Sequence, residues 1–131
     1  MRRMVLVMVG LGAAAVPAVA LGAMTANTLE SEATLSGNGH RAVVTALLTC
    51  DQAQRARLRI TVTQPGRRVV AQGRRKLRCT TEAGRFPVRV VARGGRLEAS
   101  EATVCALAVT RDDTRQWCKD VSLRHEATLR G

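Results

Sequence analysis

The 131-residue chain has no tyrosine, one phenylalanine and one tryptophan. Acids are scarce as well: ten Asp and Glu stand against 21 Lys and Arg, a formal net charge of +11. So few aromatics remove the stacking platforms on which sugar-binding and single-strand nucleic-acid modules generally rely. Three prolines and eleven glycines without a period exclude collagen-like and low-complexity architectures. There is no P-loop, no G-x-G-x-x-G and no H-E-x-x-H. What remains is 46% hydrophobic, too apolar for a disordered polyelectrolyte and long enough for one domain.

The chain opens with Met1-Arg2-Arg3, and residues 4–24 carry no charge. A basic start, an apolar run and the small-x-small triplet Ala18-Val19-Ala20 behind Pro17 predict a secretory signal peptide over 1–20, cut after Ala20, with Ala23 as the second choice. The alternative is a membrane anchor through 4–24, against which Gly10, Gly12 and Pro17 argue. Either way the remainder is expected outside the cytosol, secreted in the first case.

The four cysteines, Cys50, Cys79, Cys105 and Cys118, include no C-x-x-C pair, and neither histidine is near one in sequence. Metal sites usually show close ligand pairs, so no metal site is expected. In an exported chain four cysteines imply two disulfides. Arg111-Asp112-Asp113-Thr114 is turn chemistry midway between Cys105 and Cys118, and a hairpin folded there sets the two opposite each other. The expected bridges are Cys105–Cys118 and Cys50–Cys79.

From residue 34 the hydrophobic period is two. Leu58, Ile60 and Val62 alternate with polar residues, as do Phe86, Val88 and Val90. Residues 42–49 and 102–110 are short apolar runs of buried-strand type. About seven strands are expected, near 33–37, 41–49, 56–64, 67–79 (whole or broken at Gly73), 85–93, 101–110 and 116–125. The fold class is then all-β: an antiparallel sandwich with two disulfides over 34–126, preceded by a flexible leader over 21–33 and followed by a tail over 127–131.

Leu48-Thr49-Cys50-Asp51, Ile60-Thr61-Val62-Thr63-Gln64, Val90-Val91-Ala92-Arg93-Gly94-Gly95 and Gln116-Trp117-Cys118-Lys119-Asp120-Val121 together resemble small secreted immunoglobulin-like β-sandwich proteins of actinobacteria. The resemblance spans roughly 33–125 and implies fold and export, with no activity attached. The missing tyrosine removes the tyrosine corner of many immunoglobulin domains.

Catalysis finds little support. On a strand, Asp120 and Ser122 share one face while His125 points to the other, which disfavours a triad. His40 follows Gly37-Asn38-Gly39 and reads as a loop histidine; Asp112 and Asp113 read as turn residues with too few oxygens nearby for calcium. Trp117 reads as core, with Val121 and Leu123 on its face.

Charge is the uneven feature. Residues 55–96 hold thirteen basic groups and one acid, Glu82. Arg57, Arg59, Arg74, Arg75, Arg89 and Arg93 are the candidate anion-binding residues. The expected function is a secreted, non-catalytic binding module with a cationic surface, requiring no cofactor. Its expected partners are anionic polymers, an anionic cell-envelope surface or an acidic protein. The alternative is a small secreted enzyme inhibitor, or an enzyme, acting through an exposed loop such as 111–115.

Overall fold

A computed structural model describes residues 23–66 and 68–126. The expected signal peptide, the first residues of the leader and the tail over 127–131 lie outside the described residues.

Eight strands run in chain order: β1 (Met24–Leu29), β2 (Glu32–Ser36), β3 (Arg41–Cys50), β4 (Gln54–Thr63), β5 (Val70–Cys79), β6 (Gly84–Arg93), β7 (Glu101–Val109) and β8 (Thr114–His125). The hydrophobic alternation is what selects them. On β4, Ala56, Leu58, Ile60 and Val62 are buried while Arg55, Arg57, Arg59 and Thr63 are exposed. On β7, Ala102, Val104, Ala106 and Ala108 point inward in the same way. All seven expected strands are present. Of the two forms open for the 67–79 strand, the unbroken one is present: β5 runs through Gly73.

Part of the stretch expected as a flexible leader is instead ordered in the sheet. Met24–Leu29 is a strand, with Met24 and Leu29 buried to 2% and 1% exposure. β1 pairs antiparallel with the second half of β3, from Met24 opposite Cys50 to Leu29 opposite Ala46. Two residues later β2 continues along the first half of β3 and also pairs parallel with β8, Glu32 to Ser122 through Leu35 to His125. One N-terminal stretch therefore serves two neighbours, switching at Glu30 and Ser31.

Two separate sheets were expected; the strands instead close into a barrel. Around the wall the order is β3, β6, β5, β4, β7, β8, and then β1 with β2 back to β3. β5 is the piece that closes it. It pairs with β4 over ten positions, Gln54–Cys79 to Thr63–Val70, and with β6 over only three, Val70–Arg93 to Gln72–Val91. Beyond that point β5 and β6 part. Gly73 marks the parting, because a Cβ there would run into the carbonyl oxygen of Arg89. Pro87 accepts a bond from Arg75 Nη1 at 2.8 Å on its carbonyl. A strand residue's N–H and C=O point the same way, so the donor that proline lacks is on the side β5 has vacated. Arg75 also lies over the Phe86 ring, 5.7 Å from its centroid.

Both expected disulfides are present. Cys50–Cys79 is buried and ties the end of β3 to the end of β5, beside a Cys50 N–H to Thr80 carbonyl bond of 2.8 Å. Cys105–Cys118 joins directly opposite residues of β7 and β8, with Cα atoms 4.0 Å apart and Cys118 exposed. The interior is filled by small aliphatics, with Leu35, Leu48, Leu58, Ile60 and Leu123 as its bulkier members and Phe86 and Trp117 partly buried against it. Gln64 is a buried polar exception. Its amide donates to Glu98 O at 2.8 Å and Ser100 Oγ at 3.0 Å, and it accepts from Glu98 N at 2.8 Å, tethering the loop before β7.

Candidate anion-binding wall

The β4–β5 register decides the surface chemistry. Arg55 is opposite Arg78, Arg57 opposite Lys76, and Arg59 opposite Arg74. All six side chains face outward and are exposed. Directly opposed residues on an antiparallel pair have Cβ atoms about 4.5–5.5 Å apart. The result is a lattice two cations wide and three deep. Among the described residues none of the six has a carboxylate partner: the ion pairs are Arg85–Glu30, Arg115–Asp113 and Arg124–Glu32, on other strands.

The lattice has clear borders. Along the strands the next opposed pair is Thr61 with Gln72, both uncharged. Sideways on β7, Val109 lies opposite Arg57 and Leu107 opposite Arg59, two half-buried aliphatics that form a shelf. Two hollows flank the cations. One, of about 1050 Å³, is lined by Arg55, Arg57, Lys76 and Arg78 together with Arg111 and Asp112 of the β7–β8 turn. The other, of about 710 Å³, is lined by Arg57, Arg59, Arg74, Arg75, Lys76 and the Leu107–Val109 shelf.

Of the six residues singled out in the sequence, the wall unites Arg57, Arg59 and Arg74. Arg75 is next to Arg74 in sequence, so strand alternation turns it to the other face, where it reaches back to Pro87 and Phe86. Arg89 and Arg93 are exposed on β6, beyond β5, where Arg89 is opposite Val43 and Arg93 opposite Val70. Arg55, Lys76 and Arg78 were missed. The alternation 74, 76, 78 was a usable signal, but the hairpin register that sets them against 59, 57 and 55 was not.

The other candidates stay apart. Asp120 accepts a bond from Thr103 Oγ1 at 3.3 Å, and no Ser122–His125 contact accompanies it. His40 is exposed and caps the short 3-10 turn over Gly37–Gly39, its backbone N–H donating to Gly37 O. Among the described residues no three His, Cys, Asp or Glu come together as a metal site. The loop over 110–113 is a tight turn closed by Thr110 N–H to Asp113 O at 2.8 Å and Asp113 N–H to Thr110 Oγ1 at 3.0 Å. It leaves Arg111 and Asp112 exposed at its tip.

Asp113 itself holds the barrel seam. Its carboxylate accepts the Met24 N–H at 2.9 Å and the Arg115 Nε–H at 3.0 and 3.2 Å. The Met24 bond, with Arg115 beside it, holds the Asp113 carboxyl below its ordinary 3.8 despite partial burial. A second tie crosses the same seam, Lys119 Nζ to Leu29 O at 2.8 Å. No family model matches the chain, and no curated protein is similar to it at a significant level.

Proposed function

We propose that the protein is an extracellular, non-catalytic binding module that docks on polyanions through its β4–β5 wall. The observation that carries this reading is the set of three opposed cation pairs without acids. Directly opposed like charges destabilise a sheet by a few tenths of a kcal/mol to about 1 kcal/mol each. A fold that tolerates three in a row without interposing a carboxylate is arranged to receive anions from outside. Five of the six are Arg, whose planar guanidinium engages phosphate or sulfate oxygens two at a time.

Two disulfides suit an oxidising compartment, and among the described residues no helix is long and apolar enough to cross a membrane. Export through the basic and apolar N-terminus, and the kinship with immunoglobulin-like domains, belong to the same proposal. The strand order supports that kinship: β3 neighbours β6, β4 neighbours β7, and the first strand is divided between an antiparallel partner and a parallel C-terminal one. On this reading β5 has zipped the two sheets of a sandwich together.

The test is retention on immobilised heparin at about 0.15 M salt. The wild-type protein is expected to bind and elute well above that salt. Arg55→Ser/Arg57→Ser/Arg59→Ser should elute close to the void. Unchanged elution of the triple variant would remove the proposal.

A further inference from the structure

We infer that the β4–β5 wall reads a linear phosphodiester polymer with six covalent bonds between successive phosphorus atoms, one phosphate to each opposed cation pair. This rests on the anion-binding reading of the same wall and narrows it to a ligand class.

The spacing carries the inference. Arg55, Arg57 and Arg59 alternate along β4, as do Arg78, Lys76 and Arg74 along β5. Antiparallel strand rises about 3.4 Å per residue, so successive cation pairs are about 6.8 Å apart. Two residues of backbone are six covalent bonds. A polymer with six bonds between phosphorus atoms reaches a similar limit, about 7 Å per repeat when extended. The wall and such a polymer therefore stay in step over all three pairs. Inorganic polyphosphate, with two bonds per repeat, places its charges at well under half that spacing and falls out of step.

Each pair also suits one phosphate. Two heads rooted about 5 Å apart can close on its two non-bridging oxygens, one from each strand. The wall offers nothing to a base. The one Phe and the one Trp pack against the core, and the flanks are Leu107, Val109, Thr61 and Gln72. Recognition is of the backbone alone, without the stacking that single-strand binders add. Poly(glycerol phosphate) and the sugar–phosphate backbone of single-stranded nucleic acid share this chemistry.

The experiment is titration of the protein with glycerol phosphate and abasic deoxyribose phosphate oligomers of two to eight phosphates, against polyphosphate of matched charge. Affinity should climb with each phosphate up to three or four and then flatten. At the plateau, log K should fall with log salt at a slope of about −2, as three neutralised phosphates on a single strand give. Arg57→Ser/Lys76→Ser, which empties the middle pair, should weaken binding more than tenfold. Arg41→Ser/Arg93→Ser removes the same charge from the β3–β6 side and should change it less than twofold. Both oligomers behaving in this way supports the inference, and the tighter of the two names the source. Polyphosphate binding as tightly at equal charge, or affinity climbing evenly to eight phosphates, would overturn it while leaving the heparin result intact. Failure to bind any of these polymers or heparin would sink both readings.

Discussion

Backbone pairing is complete between β4 and β5, ten positions without interruption, and there the outward side chains repel one another. Where pairing fails, side chains hold the wall. At the β5–β6 parting, Arg75 bonds the Pro87 carbonyl and covers Phe86, while Cys50–Cys79 secures the far end of β5. At the seam between β1 and β8, Asp113 reaches Met24 N and Lys119 reaches Leu29 O. Two sets of cations on this protein differ in what they meet. Those at gaps are satisfied by carbonyls or carboxylates and serve the fold. The six on the unbroken ladder have no such partner among the described residues, and on the proposed reading they face a ligand outside the chain. A ladder of backbone bonds can tolerate repulsion that a gap cannot.

The sharpest way to break this comparison is to open the gap at β5. Removing Cys50–Cys79 as Cys50→Ser/Cys79→Ser should destabilise the protein by about 3 kcal/mol or more, read as a lower midpoint in chemical unfolding. The loss combines a 29-residue loop released in the unfolded chain with two hydroxyls buried where sulfur was. Cys105→Ser/Cys118→Ser should cost distinctly less. That bridge lies on the outer face, spans 13 residues, and joins strands already paired at nine positions. A thiol reductant should likewise open Cys105–Cys118 first, because Cys118 is exposed and both sulfurs of the other bridge are buried. Equal losses from the two double variants would mean that β5 is held by its ladder alone.

These differences show what the sequence could and could not disclose. Alternation placed β4, β6 and β8 correctly because each has one buried face, and the turn chemistry at 111–114 sufficed to pair Cys105 with Cys118. β1 was missed because MTANTL buries only its two ends and shows no alternation; what makes it a strand is the edge of β3 beside it. Barrel closure was equally hidden, since it depends on β5 reaching β6 for only three pairs, and Gly73, where the two strands part, gives no sign in sequence of a close approach. Half of the cationic wall was legible and half was not, for one reason. Alternation along a strand fixes which residues share its face, whereas their partners across the sheet depend on register, and a slip of one residue reverses the face.

At the β1–β8 seam the expected effect is smaller and depends on pH. Asp113→Asn should cost about 1 kcal/mol at neutral pH, the scale of a charge-assisted hydrogen bond exchanged for a neutral one. The carboxyl is held below 3.8 in the folded chain, so its ionised form favours the fold. That contribution is fully present above the unfolded value of about 4 and is lost as pH falls below it toward the lower folded value. The stability difference between wild type and variant should therefore be constant through the neutral range and close in acid. A gap that persists unchanged at pH 2 would show that Asp113 acts through shape and not through its charge.

The smallest effect has the opposite sign. If the six cations on β4 and β5 serve a ligand and not the fold, taking some away should leave the free protein slightly more stable. Arg57→Thr/Arg59→Thr removes one member from each of two opposed pairs and places a good strand former in both positions. Relief of two like-charge contacts should gain about 0.5 kcal/mol at low ionic strength. Because the groups are exposed, added salt screens the repulsion and should shrink that gain toward zero. A saturating polyanion should reverse the order, stabilising the wild type by mass action and the variant hardly at all. The gain in the free protein, its decay with salt and the reversal with ligand arise from a single cause, so they should appear together. If the variant is instead less stable at every salt concentration, the long Arg stems are packing on one another across the strands. The wall would then belong to the fold after all, and the division between cations that hold gaps and cations that face outward would fail.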